Sequence, residues 1–307
     1  MATRPWRARL AYSVLGAMLL ALASALSAGA APAEGLIAFD SDRGGQLDLW
    51  TMRSDGSGAR KLTDDKVADI FPEWSPSGKK IAWARGDAGS EEIWVMNADG
   101  TGRRQITFNA FSDIDPVWSP DSSQLAFRST RDGNRDIYVI NVDGTGERRL
   151  TTAPGLDFAP DWSPDGTRIT FTSDRSGASA VYTMSAVDGS DVRQLTPDSL
   201  NAGISRYSPD GSRIAFVDQR CLTCTVQSDV WVINADGTGL RRVTNTPENE
   251  TTEAWSHDGT RVLVDLAKLI DHTLGKSDVA VVTMTTGAVI NLTNSSSASE
   301  AHGDWQL

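Results

Sequence analysis

The chain has 307 residues, with 29 Lys and Arg against 40 Asp and Glu, 39% hydrophobic and 22% charged residues, which is ordinary globular composition. The first 33 residues hold three arginines and no acid; the remainder sets 26 basic side chains against 40 acidic ones, so it repels phosphate backbones and no nucleic-acid partner is expected. Three His and two Cys leave little material for a His-rich metal centre or a disulfide-dense scaffold.

Arg4, Arg7 and Arg9 precede an apolar run from Val14 to Leu26, followed by small residues up to Ala33. This is the pattern of a secretory signal peptide over residues 1–33, and both Ala28-Gly29-Ala30 and Ala31-Pro32-Ala33 fit its cleavage site. The 13 apolar residues fall short of the ~20 that a bilayer span needs. The expected location is therefore periplasmic or secreted, and an uncleaved anchor would be the sole membrane contact.

Residues 34–307 are repetitive. Trp74, Trp118 and Trp162 each open a Trp-Ser-Pro; Tyr207-Ser208-Pro209, Trp255-Ser256-His257 and Trp305 continue the series at spacings of 44, 44, 45, 48 and 50. A second marker keeps step at Leu62-Thr63, Ile106-Thr107, Leu150-Thr151, Leu195-Thr196, Val243-Thr244 and Leu292-Thr293. Between them lie apolar triplets such as Ile81-Ala82-Trp83 and runs such as Ile93-Trp94-Val95-Met96, each of strand length and rich in β-branched and aromatic residues. Ser-Pro-Asp-Gly and Asn-x-Asp-Gly-Thr-Gly separate them, and Asp-Gly supplies the positive φ of a tight hairpin. Four short antiparallel strands per copy, six copies and no helical period predict an all-β fold, a six-bladed β-propeller. The repeat region opens on a second strand, Leu36 to Phe39, with no Trp strand before it; Trp305 supplies the missing one, so residues 303–306 are expected to pair with 36–39 and close the ring.

These motifs resemble the TolB-like propellers, whose WD-like repeats read Trp-Ser-Pro-Asp-Gly…Ile-Ala-Phe…Ser-Asp-Arg…Asp-Ile-Tyr-Val-Met-Asn…Asp-Gly-Thr-Gly…Leu-Thr. The resemblance covers residues 35–307 and is fullest over Asp157 to Thr196. Within that family TolB itself carries an α/β domain between signal and propeller, whereas here the repeats are expected to follow the signal directly. The resemblance implies an envelope-associated protein that receives segments of a protein or peptide partner at the channel mouth.

In such a blade the Ser-Pro-Asp-Gly and Asp-Gly-Thr-Gly turns share one uniform face, and all length variation falls on the opposite face. The insertions Asp218 to Gln227 and Asp265 to Lys276 lie there, where binding resides. Five residues before each channel-strand aromatic stand Asp69, Asp113, Asp157, Ala202, Glu250 and Glu300. The five acids predict a carboxylate ring at the variable-face mouth, able to hold a basic partner segment or a divalent cation such as calcium. Arg43, Arg131, Arg175 and Arg220 stand in neighbouring loops where they could instead pair with those acids; Asp115, Asp161, Glu73 and Asp304 add further acid. A second series, Asp48, Glu92, Asp136, Asp229 and Asp278, opens third strands and is expected to cap loop N–H groups. Cys221 and Cys224, in one loop of an exported chain, are expected to form a disulfide.

Catalytic signals are lacking. No Gly-x-Ser-x-Gly, His-Glu-x-x-His or phosphate-binding loop occurs. His257, His272 and His302 are too dispersed to meet at one metal, and each reads as a solvated surface histidine, with His272 or His302 as the candidate base if there is one. The expectation is a monomeric, non-catalytic binding module without a cofactor; the alternative is a secreted propeller lyase or hydrolase with a metal- or carboxylate-lined channel.

Overall fold

A computed structural model describes residues 35–218, 228–270 and 273–306. The expected signal peptide, Cys221, Cys224, Arg220 and His272 lie outside the described residues.

The strands form six four-stranded antiparallel sheets. Blade I holds β1 (Ile37–Ser41), β2 (Asp48–Met52) and β3 (Arg60–Lys61); blade II, β4 (Asp69–Trp74), β5 (Lys80–Arg85), β6 (Glu92–Asn97) and β7 (Arg104–Gln105). Blade III holds β8 (Asp113–Trp118), β9 (Gln124–Ser129), β10 (Asp136–Asn141) and β11 (Arg148–Arg149); blade IV, β12 (Asp157–Trp162), β13 (Arg168–Ser173), β14 (Ala180–Ser185) and β15 (Arg193–Gln194). Blade V holds β16 (Ala202–Tyr207), β17 (Arg213–Asp218), β18 (Val230–Asn234) and β19 (Arg241–Arg242); blade VI, β20 (Asn249–Trp255), β21 (Arg261–Ile270), β22 (Thr273–Thr283) and β23 (Val289–Asn291). The last strand, β24 (Glu300–Trp305), returns to blade I and pairs Ile37 with Trp305, Ala38 with Asp304 and Ser41 with Glu300. The ring therefore closes as the register requires, with β24 innermost. The sixth-copy insertion lengthens β21 and β22 to 10 and 11 residues instead of forming a loop.

The core lies in wedges between blades. Val117, Ile137 and Leu150 of blade III meet Trp162, Ile169 and Phe171 of blade IV, and the closing wedge joins Ile37, Phe39 and Trp305 to Leu263 and Val279 of blade VI. The recurrent tryptophans are there because a large flat side chain fills a junction that neither sheet fills alone.

The Leu-Thr marker has a hydrogen-bonding cause. In all six blades its threonine Oγ accepts the N–H of a third-strand residue, from Leu49 to Thr63, Ile93 to Thr107, Ile137 to Thr151, Val181 to Thr196, Val230 to Thr244 and Val279 to Thr293, at 2.8 to 3.0 Å. The outer strands are only two or three residues long, and this hydroxyl satisfies a buried donor beyond their end. The same hydroxyls donate to Asp48, Glu92, Asp136 and Asp278 of the second acidic series. Capping of loop N–H groups is seen at Glu92, Asp229 and Asp278, while Asp48 and Asp136 bind Lys61 and Arg149 of their outer strands. The turn glycines seat on this marker: a Cβ at Gly189, φ 73°, would lie 2.1 Å from the Leu150 carbonyl oxygen.

Candidate functional site

Each innermost strand carries a bulge. Between Ile70 and Glu73, Ile114 and Val117, and Phe158 and Asp161 the ladder slips, at Pro72, Pro116 and Pro160, which have no N–H to donate. The residue before each proline, Phe71, Asp115 or Ala159, takes φ of 55°, 56° or 48°; Ile204 and His302 do so at 53° and 54° in blades V and I. Five side chains, of which Phe71, Ala159 and Ile204 are of a kind that rarely enters this region, are thereby turned into the axial cavity.

Two cavities meet on that axis. The one at the variable face holds about 230 Å³ and is lined by those five residues with Phe158, Arg128 and Thr251. The one at the uniform face holds about 300 Å³ and is lined by Trp74, Trp118, Trp162, Tyr207, Trp255 and Trp305 with Asp161. Glu73, Arg206, Glu253 and Asp304 border both and form the waist of the channel.

The waist is an acid cluster around one guanidinium. Arg206 Nε donates to the Glu253 carbonyl at 2.6 Å; burial works against its charge, but Asp161, Glu253 and Glu73 outweigh that and hold it firmly protonated. Asp161 accepts the Tyr207 N–H and Asp304 the Trp74 N–H, both at 2.6 Å, so each carboxylate staples its blade to the next. Burial pushes Asp161 up to about 6 against the pull of Arg206, and pushes Asp304 up to about 7 against the Trp74 N–H and Arg206. Burial and then Asp304 raise Glu73 well above the carboxylate range; burial and then Asp265 do the same for Glu253.

Above the waist His302 is a cation. Its Nδ1 lies 2.6 Å from Asp40 Oδ2, its backbone N–H donates to Asp265 at 2.9 Å, and the Phe71 ring lies against it at a tilt of 44°, 3.8 Å between centroids. Burial disfavours the charge, yet Asp40, then Asp265 and Glu253, push it up to about 10. The expectation of a solvated surface histidine therefore fails for His302: the bulge turns it inward and two second-strand carboxyls hold it. His257 is exposed in its turn and reaches only the uniform-face cavity. Asp115 is balanced by Arg128, 3.2 Å away.

Asp69, Asp113, Asp157 and Glu300 head their strands, and Glu250 stands second in β20; all five are at most 1% exposed. Asp113 is held by Arg131 at 2.7 Å, Asp157 by Arg175 at 2.9 Å and Glu300 by Arg43. Asp69 takes Arg85, at the end of β5, at 2.9 Å and the Trp83 indole N–H at 2.7 Å, and Glu250 takes the hydroxyls of Thr244 and Thr246. Arg43, Arg131 and Arg175 also lie over the rings of Trp50, Tyr138 and Phe171. The five acids thus lie behind the cavity wall, four of them paired with an arginine of their own blade, while Glu73, Asp115, Asp161, Glu253 and Asp304 face the axis. Sequence reading set four of these near the mouth but missed Glu253 and Arg206. Arg206 stands in the same column as Glu73, Asp161 and Asp304, one place before the aromatic, and aligning that column across copies would have found it. Glu253 is displaced one place by the longer β20, which masks the column. Among the described residues no three His, Cys, Asp or Glu side chains are grouped to hold a metal ion.

Comparison with known proteins matches residues 49–221 to the TolB beta propeller domain family. Among curated proteins, an uncharacterized protein of Agrobacterium fabrum is 44% identical over 52 residues, 17% of this chain and 18% of that one. The Tol-Pal system protein TolB of Anaeromyxobacter dehalogenans is 55% identical over 38 residues, 12% of this chain and 9% of its own. The chain thus spans less than a fifth of these relatives. Among solved structures, TolB from Acinetobacter baumannii superposes with a TM-score of 0.73 at 23% identity, over 89% of this chain and 66% of that one, a likeness of fold. With the family profile covering more than half of the chain and the six-bladed ring in place, the chain belongs to the TolB β-propeller family.

Proposed function

We propose that this propeller is an exported, non-catalytic module of the cell envelope that binds a segment of another protein or peptide at the variable-face mouth of its channel. The observation that carries this reading is the charge of the axial cavity: Glu73, Asp115, Asp161, Glu253 and Asp304, with Asp40 and Asp265 behind them, face Arg128, Arg206 and His302. A basic side chain entering from the mouth finds uncompensated acid, which favours cationic segments and makes binding salt-dependent. Several of these carboxyls retain protons near neutral pH, so a cation would displace them and bind more tightly as pH rises through 6 to 7. Backbone strain at five residues around the mouth supports the same place, because such strain collects at binding sites. Asp69, Asp113, Asp157 and Glu300 serve the partner by holding the arginine rim in position, and Glu250 by holding Thr244 and Thr246 in the connection before β20. The reading involves no cofactor and no general base; Asp40 favours the charged form of the His302 ring.

The test retains proteins from an envelope extract of the producing cell on the immobilised mature chain and on the double variant Glu253→Gln/Asp304→Asn. A protein held by the parent, released by salt and not held by the variant is the expected result. Equal retention by both, at every salt concentration, would overturn the channel as the site.

A further inference from the structure

Beside the mouth two blade-to-blade connections hold large apolar side chains out into solvent. Phe108 and Phe111, entering blade III, are 76% and 46% exposed, and Leu156, entering blade IV, is 40% exposed. These connections are not slack. Asn109 takes its N–H to Glu92 at 2.5 Å, its side-chain amide to Asp113 at 2.7 Å, and accepts the Phe111 N–H at 2.8 Å; the Leu156 N–H is held by Asp174 at 2.7 Å. Backbone fixed in this way prevents the side chains from folding back to bury themselves, although burial of each would be worth ~1.5–3 kcal/mol.

We infer that Phe108, Phe111 and Leu156 form an apolar shelf that receives bulky side chains of the same partner segment whose basic residue enters the channel. This rests on the mouth as the partner site and specifies the partner's chemistry: an amphipathic segment with apolar anchors a fixed distance from a Lys or Arg. The distance follows from the strand that joins shelf to channel. Asp115, on the wall of the mouth, lies four residues beyond Phe111 along β8, at most ~13 Å of extended chain, so a segment anchored at Phe111 reaches the cavity within about four extended residues. Charge supports a cationic partner over a second copy of this chain, which is itself acidic at −11.

The probe is a random-peptide phage library panned on the mature protein, followed by titration of the enriched peptides. Two variants separate the contributions: Phe108→Ser/Phe111→Ser/Leu156→Ser, all at exposed positions, and Glu253→Gln/Asp304→Asn. The expected peptides combine Lys or Arg with an aromatic or aliphatic residue at that spacing. The shelf variant should bind them ~10-fold more weakly or worse with an unaltered salt slope, and the channel variant should flatten the salt slope. If the shelf variant binds as the parent does while the channel variant loses affinity, the shelf is overturned and the mouth reading stands. If enriched peptides ignore the channel variant, the mouth reading fails. A concentration-dependent dimer in sedimentation that the shelf variant abolishes would assign the shelf to a second copy and overturn the inference.

Discussion

Replacing Arg206 with methionine keeps most of the side chain's length and removes the guanidinium around which Glu73, Asp161, Glu253 and Asp304 converge. Removing one partner of a buried ion cluster costs ~3–5 kcal/mol, and the lower figure applies because these carboxyls can relieve part of the repulsion by taking up protons. For about 270 residues the unfolding entropy is ~0.6 kcal/mol/K, so ~3 kcal/mol lowers Tm by ~5 °C at pH 7.5. The pH dependence distinguishes a counter-ion role from simple packing. Asp161 and Asp304 titrate in the folded protein at about 6 and about 7, above their value of 3.8 in the unfolded chain. Stability contributed by such groups is fully present below 3.8 and is lost as pH rises through 6 to 7. At pH 5 both are largely neutral, fewer charges are stranded, and the loss in Arg206→Met should shrink to about half or less. Melting both proteins by circular dichroism at pH 5 and 7.5 checks this. An equal loss at the two pH values, or none at either, would refute the counter-ion role.

Deleting residues 300–307 removes β24 and exposes β1 and the closing wedge, so the whole domain should be destabilised; a truncated protein that melts within a degree or two of the parent would contradict the closure. Thr151→Val strands the buried Ile137 N–H and should cost ~1–3 kcal/mol in a denaturant titration, whereas Thr152→Val, at the exposed neighbour, should cost within about 0.5 kcal/mol. Titration of the protein from an oxidising compartment should find no reactive thiol at Cys221 or Cys224, and two would argue against their disulfide.

The architecture could be read from the chain because a propeller repeats its local rules. Trp at five of the six blade junctions, Thr beneath each outer strand and Asp-Gly in most hairpins recur at one register, so a single well-made copy such as Asp157 to Thr196 interprets the rest. The channel was less legible, for the same reason turned around. Its chemistry lies where the copies differ, at Arg206, Glu253 and His302, and a repeat search discounts such departures. The ring of strand-opening acids attracted attention because it repeats; in the fold it is behind the wall, paired with arginine or threonine. The bulge explains the difference, since the slipped register turns the third residue of five inner strands toward the axis while the residue two places before it, an acid in four of them, stays buried.

The order in which the chain is made gives the closing strand a further meaning. His302 and Asp304, which complete the mouth and the waist, belong to β24 with Gly303 and Trp305, and the other lining residues of the two cavities precede that strand in sequence. A chain emerging from a ribosome or an export pore in that order therefore presents an incomplete channel, without the imidazolium and one waist carboxyl, until its final strand is free to pair with its first. On the proposed function, capacity to bind is thus coupled to the pairing of β24 with β1, and a partner that reads the channel reads a closed ring.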